Sequence, residues 1–341
     1  MSEEQPTLHD GDLRLRPWTA ADVEATRLLH DPETAQWFDV DPTLPTCEHH
    51  RSWAEGTHAE WADSRAKVNF LVEWRGDPAG SVEVRRSSDG VGVLTWTTYA
   101  PYRGRGVASR AVRLLVDWAF TDLRLRRVEA EVNPLDRASL RTALRAGLRR
   151  EGLLRGNTVH RGQVHDTVVL GRLADDPAPG TREGFTAVLD SVLPTKRVIG
   201  QGLMRDAAGA VLLCEPVYKR DWDLPGGVVD PGEPPRDCVA REIREELDLE
   251  VTVGALLATN WLAPWLGWGD AVLFVYEVET PTAAALSRLH LLEREIRAVH
   301  WVTPQEVGER VAPYNERMLT SLAAAGADHA PLELADGLPV R

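Results

Sequence analysis

The order of apolar and polar residues predicts alternating strands and helices in the first half of the 341-residue chain. Short apolar runs bounded by Gly and Asp predict strands, and apolar residues at helical spacing predict helices. The predicted strands are residues 13–18, 68–74, 80–86, 92–100, 127–132 and 167–172. The predicted helices are residues 19–30, 107–123 and 137–146.

The second half shows a different pattern. Strands are predicted at residues 198–205, 210–215, 271–279 and 298–303, and helices at 236–247, 304–311 and 315–325. The segment ADDPAPGTREGF, from residue 174, combines acids, prolines and glycines, as is typical of a domain boundary. We therefore expect a first domain at 1–175, a linker at 176–188, a second domain at 189–328 and a loose tail at 329–341.

Composition narrows the class of protein. With 43% hydrophobic and 27% charged residues, the chain is an ordinary globular protein. It has no apolar run near the ~20 residues that span a bilayer, and its acidic start is unlike a secretory signal, so we expect a cytoplasmic protein without a membrane partner. The net charge of −13 argues against nucleic acid partners. Cys47, Cys214 and Cys238 have no disulfide or zinc spacing, and we expect packing roles for them.

Three glutamates lie close together on the predicted helix 236–247. Glu242, Glu245 and Glu246 occupy positions i, i+3 and i+4, on one face of the helix. Like charges at this spacing repel one another, and a bound divalent cation reverses that repulsion. Such oxygen ligands suit Mg²⁺ or Mn²⁺, which also bind phosphate oxygens. Taken alone, three glutamates are more often a solvated acidic helix face.

The residues before this helix favour a ligand site over a solvated face. Gly226, Gly227 and Gly232 permit a tightly bent loop that can approach a ligand closely. Glu233 precedes Arg241 by eight residues, and an arginine can hold a carboxylate through two hydrogen bonds.

Residues 226–249, GGVVDPGEPPRDCVAREIREELDL, resemble the Nudix box, G-x5-E-x7-R-E-U-x-E-E-x-G-U, in which U is bulky and aliphatic. The matching positions are Gly227, Glu233, Arg241, Glu242, Ile243, Glu245, Glu246 and Leu249. Asp248 stands where the pattern has glycine. We expect a positive φ at this helix end, which Asp tolerates better than most residues.

This resemblance implies an α/β/α sandwich that hydrolyses a nucleoside diphosphate linked to another group, with Mg²⁺ or Mn²⁺. Glu242, Glu245 and Glu246 would hold metal, and Glu245 is also the candidate that activates water. Arg241 would orient a carboxylate, with Glu233 as its partner. Candidate substrate contacts are Trp222, Gly226 and Gly227.

Two features beside the motif are open to more than one interpretation. Glu293 and Glu295 could supply a base from outside the box, or could be plain surface carboxylates. Trp261, Trp265 and Trp268 fall in a predicted loop, where they could stack on a nucleobase or sugar, cap the core or bury an interdomain contact.

A second glycine-rich loop, residues 102–108, follows a predicted strand and opens the predicted helix 107–123. Successive backbone amides at such a helix N-terminus form an anion cradle, aided by the helix dipole. Arg103 and Arg105 add positive charge. A glycine turn before a helix is weak evidence by itself, but the ordered strand, loop, helix and strand that lead to Asn133 strengthen it.

This order resembles the GNAT family of N-acetyltransferases, whose loop pattern Q/R-x-x-G-x-G/A is matched by Arg103, Gly106 and Ala108. The opening LRLRPW, the pair Asn133 and Ser139, and Asp166 before the last strand are similar to the ribosomal-protein acetyltransferase branch. The resemblance covers roughly residues 10–173 and implies a mixed central sheet flanked by helices.

The implied chemistry is acetyl transfer from acetyl-CoA to a small amine or a protein N-terminus. The residues implied to hold the pyrophosphate are Arg103, Gly104, Arg105, Gly106, Val107 and Ala108. Asn133 and Ser139 would contact the pantetheine arm or the thiol. A base is needed because the amine must be neutral. Glu83 is one candidate, while Tyr99 lies near the site but is more typical of the core.

Together the patterns predict an α/β (α+β) chain of two domains, a bifunctional acetyltransferase and Nudix hydrolase with a nucleotide-type substrate. One alternative is a single active hydrolase whose N-terminal domain is a CoA- or ligand-binding sensor. Another is a resistance or natural-product tailoring enzyme that acts on a small amine, and a third is a non-enzymatic scaffold. The sequence leaves the oligomeric state open.

Overall fold

The structure is a computed structural model that describes residues 4–27, 66–88, 90–160, 162–326 and 329–340, with isolated positions between 29 and 61. The chain divides into two compact units, Met1–Leu193 (unit 1) and Pro194–Arg341 (unit 2). Each unit has its own buried apolar core. Cys47 and the predicted end of the first helix, at His30, lie outside the described residues.

Unit 1 is built on an eight-stranded mixed sheet with the order β1-β2-β3-β4-β5-β6-β8-β7. Its strands are β1 (Leu8–Asp10), β2 (Leu13–Arg16), β3 (Lys67–Trp74), β4 (Asp77–Ser88), β5 (Val91–Thr98), β6 (Arg127–Val132), β7 (Arg149–His160) and β8 (Gln163–Leu173). Its helices are α1 (Ala20–Arg27), α2 (Val107–Thr121), α3 (Arg137–Arg145) and α4 (Arg182–Asp190).

The sheet of unit 1 opens between β5 and β6. These two strands are parallel and pair only from Val91 to Val93. All the other neighbouring strands of this sheet are antiparallel. The apolar face of α2, from Val107 to Ala119, packs into the core. The second halves of β5 and β6 are therefore left apart, with the start of α2 close to the gap.

Unit 2 contains a six-stranded sheet, ordered β11-β9-β13-β12-β15-β16, and a two-stranded sheet, β10-β14. Its strands are β9 (Arg197–Leu203), β10 (Val211–Pro216), β11 (Gly226–Val228), β12 (Val253–Leu262), β13 (Ala271–Val278), β14 (Ile296–Val302), β15 (Leu332–Ala335) and β16 (Leu338–Pro339). Its helices are α5 (Pro235–Leu247), α6 (Ala283–Leu286) and α7 (Pro313–Ala325). Apolar clusters pack against α5 and α7.

Most predicted elements are present, but the expected tail is not loose and the expected linker is partly helical. Part of the predicted linker forms α4, which Thr181 caps by accepting a hydrogen bond from Gly184 N–H. The predicted tail forms β15 and β16, and β15 pairs in parallel with β12. Leu334 of β15 is 1% exposed. The segment is ordered by its backbone pairing with the edge of β12, which its own sequence does not predict.

Other local predictions were also wrong. Strand β7, which the pattern did not predict, is mostly exposed and lacks apolar alternation. The predicted helix at 304–311 is a single 3₁₀ turn, Val307–Glu309. Trp261 lies on β12 and not in a loop. None of the described helices is both long and apolar enough to cross a bilayer.

Candidate active sites of the two units

The glycines at the edge of the six-stranded sheet make room for a carboxylate. Gly227 pairs with Gly200 of β9, and a Cβ on Gly227 would lie 2.4 Å from Oε1 of Glu242. Gly226 has a φ of 142°, and its Cβ would lie 2.2 Å from the carbonyl oxygen of Gly200. The two glycines thus let β11 pair with β9 while α5 brings Glu242 against the strand.

Arg241 fixes the direction of the carboxylates around it. Its Nε and Nη2 donate to Oε1 and Oε2 of Glu233, at 2.8 and 2.9 Å. These hydrogen bonds, with one from the Asp230 backbone, lower the pKa of Glu233 to about 2. Nη1 of Arg241 donates to Glu242 at 2.9 Å and to Glu245 at 3.3 Å. The arginine therefore contacts three of the carboxylates that the sequence singled out.

The three helix glutamates lie in different environments. Glu246 is 8% exposed, and it accepts a hydrogen bond from Gly226 N–H at 3.3 Å. Burial raises the pKa of Glu246 to about 8, and the charges of Glu242, Glu295 and Asp223 act in the same direction. Burial also raises the pKa of Glu242. The side chain of Glu245 is half-exposed.

These residues match the chemistry of a hard divalent cation. Oxygen donors suit such an ion, and its charge would offset the burial and the repulsion that together raise the pKa of Glu246. Within the described part of the chain, no three Glu, Asp, His or Cys side chains already stand in a metal-binding group. The hydrogen bond from Arg241 to Glu245 holds that carboxylate. The carboxylate oxygens therefore suit a divalent cation, although Glu245 is hydrogen-bonded to Arg241.

Of the two glutamates proposed from outside the motif, Glu295 acts on the cluster. Its charge raises the pKa of both Glu242 and Glu246. Its side chain is 42% exposed and accepts a hydrogen bond from Arg294 at 3.2 Å. Glu295 therefore lies close enough to the helix glutamates for its charge to influence them.

Trp222, a predicted substrate contact, has its ring against two side chains of the Nudix domain. The ring stacks on His300, with centroids 4.1 Å apart and an interplanar angle of 10°. The guanidinium of Arg310 lies over the same ring, 5.0 Å from its centroid. These contacts hold the ring in place, and its role towards a substrate stays a prediction.

The other tryptophans do not cap the core. Trp261 and Trp265 are each 46% exposed, and Trp268 is 63% exposed. Trp265 and Trp268 bracket a two-residue turn and exchange backbone hydrogen bonds. Arg197 lies over Trp268, 4.8 Å from the ring centroid.

Unit 1 contains a cavity of about 500 Å³ where β5 and β6 part. Its lining includes the predicted residues Arg103, Gly104, Gly106, Val107, Ala108 and Ser139. A smaller cavity of about 80 Å³ is lined by Asn133 and again by Ser139. Arg105 does not line either cavity, and its guanidinium lies 5.6 Å from the Trp74 ring centroid.

The glycine loop leaves the first amides of α2 open. Gly104 and Gly106 have φ values of 75° and 80°, and a Cβ on either would meet nothing within 4 Å. Gly106 is the N-cap, and no side chain caps the helix. The first amides of a helix have no intrahelical acceptor, so these N–H groups can bind an anion.

Arg103 has a structural role in this loop. Its Nε donates to the carbonyl oxygen of Thr98 at 3.0 Å, and its Nη2 donates to Asp31 at 2.8 Å. These two contacts hold the side chain at the edge of the cavity that it lines, and its role at a pyrophosphate stays a prediction. Arg141 and Arg145, one turn apart on α3, also line the cavity and add positive charge there.

The residues proposed for the amine base are placed differently. Glu83 is 8% exposed and does not line either cavity. It accepts a hydrogen bond from Asn69 at 3.0 Å and is ion-paired with Lys67 at 3.6 Å. Tyr99 is buried, and burial raises the pKa of its phenol.

Comparison with known proteins gives both units a family. The family model described as "Acetyltransferase (GNAT) domain" matches residues 12–149, and the one described as "NUDIX domain" matches residues 196–322. Uncharacterized N-acetyltransferase p20 of Bacillus licheniformis is 37% identical over 170 residues, which cover 49% of this chain and 96% of that protein. A MutT-like protein of Streptomyces ambofaciens is 31% identical over 141 residues, covering 39% and 81%.

This chain is a GNAT acetyltransferase domain fused to a Nudix hydrolase domain. A further relative, Probable N-acetyltransferase YjcK of Bacillus subtilis (strain 168), is 41% identical over 75 residues. That match covers 22% of this chain and spans only 41% of that protein. The predicted families and fold class are confirmed.

Some polar residues at the Nudix site have no signal in the sequence. Asp223 accepts hydrogen bonds from Gln201 Nε2 and Asn315 Nδ2, both at 2.7 Å, and from Lys219 Nζ at 2.5 Å. Lys219 lies four residues before Asp223, but Gln201 and Asn315 come from separate stretches of the Nudix domain, and only folding brings them to Asp223. In the GNAT domain, the spacing of Arg141 and Arg145 on one helix face could have indicated a basic surface.

Proposed function

We propose that the Nudix domain hydrolyses a nucleoside diphosphate linked to another group, with Mg²⁺ or Mn²⁺ as cofactor. The observation that carries this proposal is that α5 sets the buried Glu246 and the partly buried Glu242 beside the Gly226–Gly227 strand. Glu242 has a cation partner in Arg241, whereas Glu246 accepts its hydrogen bond from a backbone N–H. Burying a carboxylate without a cation partner is costly, and a metal ion bound by both glutamates would supply one.

The residues of the site divide the work between them. A bound divalent ion would neutralise phosphate charge and make a water molecule more acidic. Glu246 and Glu242 would hold that ion. The ion pair of Arg241 with Glu233 fixes the position of the helix face that carries both glutamates. Glu245, the half-exposed carboxylate on this face, accepts the proton from the attacking water. Glu295 is the second candidate for this role.

Hydrolysis of a panel of nucleoside-diphosphate compounds with Mg²⁺ or Mn²⁺ tests this proposal. Glu245→Gln and Glu246→Gln should each lower kcat/KM about 100-fold or more. Glu250→Gln, at an exposed position just after α5, is the matched control and should stay near the wild-type rate. Activity that survives both substitutions in the site would overturn the assignment.

We propose that the GNAT domain transfers an acetyl group from acetyl-CoA to a small amine or a protein N-terminus. The open amides of residues 104–108, at the mouth of the cavity between β5 and β6, carry this proposal. These amides bind the diphosphate, and Arg141 and Arg145 add charge that favours the phosphates. Asn133 and Ser139 contact the arm that leads to the thioester.

Binding of CoA and consumption of acetyl-CoA over a panel of amines test the second activity. Gly106→Ala should weaken CoA binding about tenfold, because it strains a loop held at positive φ. Gly162→Ala changes a glycine with a similar φ of 73° and open surroundings, but outside the cavity lining, and should leave binding unchanged. Binding without consumption on any amine would favour the sensor alternative, and no binding would contradict the proposal.

A further inference from the structure

A lysine lies beside the carboxylates of the Nudix site. Lys219, in the segment between β10 and β11, places Nζ 2.5 Å from Oδ2 of Asp223. Gln201 of β9, which donates to Asp223, is the register partner of Gly226. The N–H of Gly226 in turn donates to Glu246 at 3.3 Å. These contacts connect the lysine, through Asp223 and Gln201, to the face of α5 that carries the glutamates.

The direction of Asp223 is fixed independently of the lysine. Its Oδ1 accepts hydrogen bonds from Gln201 Nε2 and Asn315 Nδ2, both at 2.7 Å, and from the Leu224 amide at 3.2 Å. Gln201 is 5% exposed and Asn315 is 1% exposed.

Both amides leave their oxygen atoms without a partner. Within the described residues, Gln201 Oε1 and Asn315 Oδ1 are buried and accept no hydrogen bond. A buried acceptor without a donor costs free energy. The fold accepts this cost at both amides, and both amides donate to the carboxylate of Asp223. The position of Asp223 is therefore fixed, and Asp223 can in turn hold Lys219 in place.

The charges around the site indicate which cation is available to bind a phosphate group. Arg241 is occupied by Glu233 and Glu242. A phosphate chain would add negative charge to a face that already carries several carboxylates. An ammonium has three N–H donors, and Asp223 accepts one from Lys219, whose side chain is 37% exposed.

We propose that Lys219, anchored by Asp223, binds a non-bridging phosphate oxygen of the nucleotide substrate and favours substrates with a more highly charged phosphate chain. This inference rests on the hydrolase function proposed above. Lys219 acts on binding, so its loss raises KM more than it lowers kcat.

The test compares Lys219→Met, Lys219→Arg and the control Arg220→Met with the wild-type chain. Arg220 is exposed and adjacent, and its loss changes the net charge by the same amount. With a nucleoside triphosphate and Mg²⁺, Lys219→Met should raise KM about 10- to 100-fold with kcat nearly unchanged. Lys219→Arg should restore most of the affinity, and Arg220→Met should match the wild type.

A second readout is the affinity for inorganic pyrophosphate with Mg²⁺, measured by calorimetry. Lys219→Met should weaken it by a similar factor, even if no nucleotide is hydrolysed. Absence of hydrolysis by the wild type would therefore count against the hydrolase proposal. The pyrophosphate affinity of Lys219→Met would still decide the role of Lys219. Unchanged KM and pyrophosphate affinity in Lys219→Met, or a lower melting temperature with unchanged affinity, would overturn the role of Lys219 in binding.

Discussion

Gly227 shows how the absence of a side chain makes room for a neighbouring carboxylate. A Cβ there would lie 2.4 Å from the carboxylate of Glu242, which is the far end of a flexible side chain. We expect Gly227→Ala to displace that carboxylate while the fold stays intact. Hydrolysis should fall about 10- to 100-fold, with a melting temperature within ~2 °C of the wild type.

Gly226 is the matched control for this substitution. A Cβ on Gly226 would lie 2.2 Å from a backbone oxygen of Gly200, and its φ is 142°. Gly226→Ala should therefore disturb the pairing of β11 with β9 and lower stability as well as activity. If Gly227→Ala destabilised the protein equally, the proposed displacement of Glu242 would be incorrect.

Glu73 in the GNAT domain provides a pH-dependent prediction at the residue scale. Burial alone would raise the pKa of Glu73, but hydrogen bonds from Arg16 and Arg14 outweigh it and lower that pKa. A carboxyl group with a lowered pKa in the folded state stabilises the fold above its unfolded-state pKa. That contribution is lost as the pH falls through the folded-state value.

We expect Glu73→Gln to lower the free energy of unfolding by roughly 2–4 kcal/mol at pH 7, because it removes the carboxylate that Arg14 and Arg16 share and leaves Arg16 paired with Asp22 alone. The difference from the wild type should shrink towards pH 3. Unfolding by urea across this pH range measures it, with the exposed Glu183→Gln as control. A difference that stays constant with pH would contradict this account.

At the scale of elements, helix α5 ends where the motif departs from its usual glycine. Asp248 has φ 54° and ψ 41°, so the predicted positive φ is confirmed. An aspartate can adopt this left-handed conformation, which closes the helix directly after its glutamates.

The short strand β15 contributes a side chain to the apolar core of the Nudix domain. Leu334 of β15 is 1% exposed and belongs to the apolar cluster around α7. Leu334→Ala should lower the free energy of unfolding by roughly 2–4 kcal/mol. Leu338→Ala, on the neighbouring β16 where the side chain is 54% exposed, should cost under ~1 kcal/mol. Equal and small effects in a thermal melt would show that β15 contributes little.

At the scale of the whole molecule, two units with separate cores should respond to different ligands. A ligand at 100 times its dissociation constant stabilises the unit that binds it by about 2.7 kcal/mol. In calorimetry of the full chain, CoA should raise the unfolding temperature of the GNAT domain. Mg²⁺ with pyrophosphate should raise the unfolding temperature of the Nudix domain. Glu246→Gln should abolish only the second shift. A single transition raised by either ligand would show that the units unfold together.

The sequence alone determined both families and placed the candidate residues of the Nudix site on one helix and its preceding loop. A Nudix box and a glycine loop before a helix are local patterns, in which i, i+3 and i+4 spacing places Glu242, Glu245 and Glu246 on one face. Fixed offsets also paired Arg241 with Glu233. Local spacing predicts such contacts because one helix and its preceding loop contain all the partners.

Only the tertiary structure decided which polar groups meet across the fold. Asp223, Gln201 and Asn315 lie far apart in the sequence, and their hydrogen bonds depend on how β9 and α7 pack. Packing also stacked Trp222 on His300, paired Arg103 with Asp31 and placed β15 at the edge of β12. These outcomes depend on long-range contacts, whose free energy no local pattern of residues records.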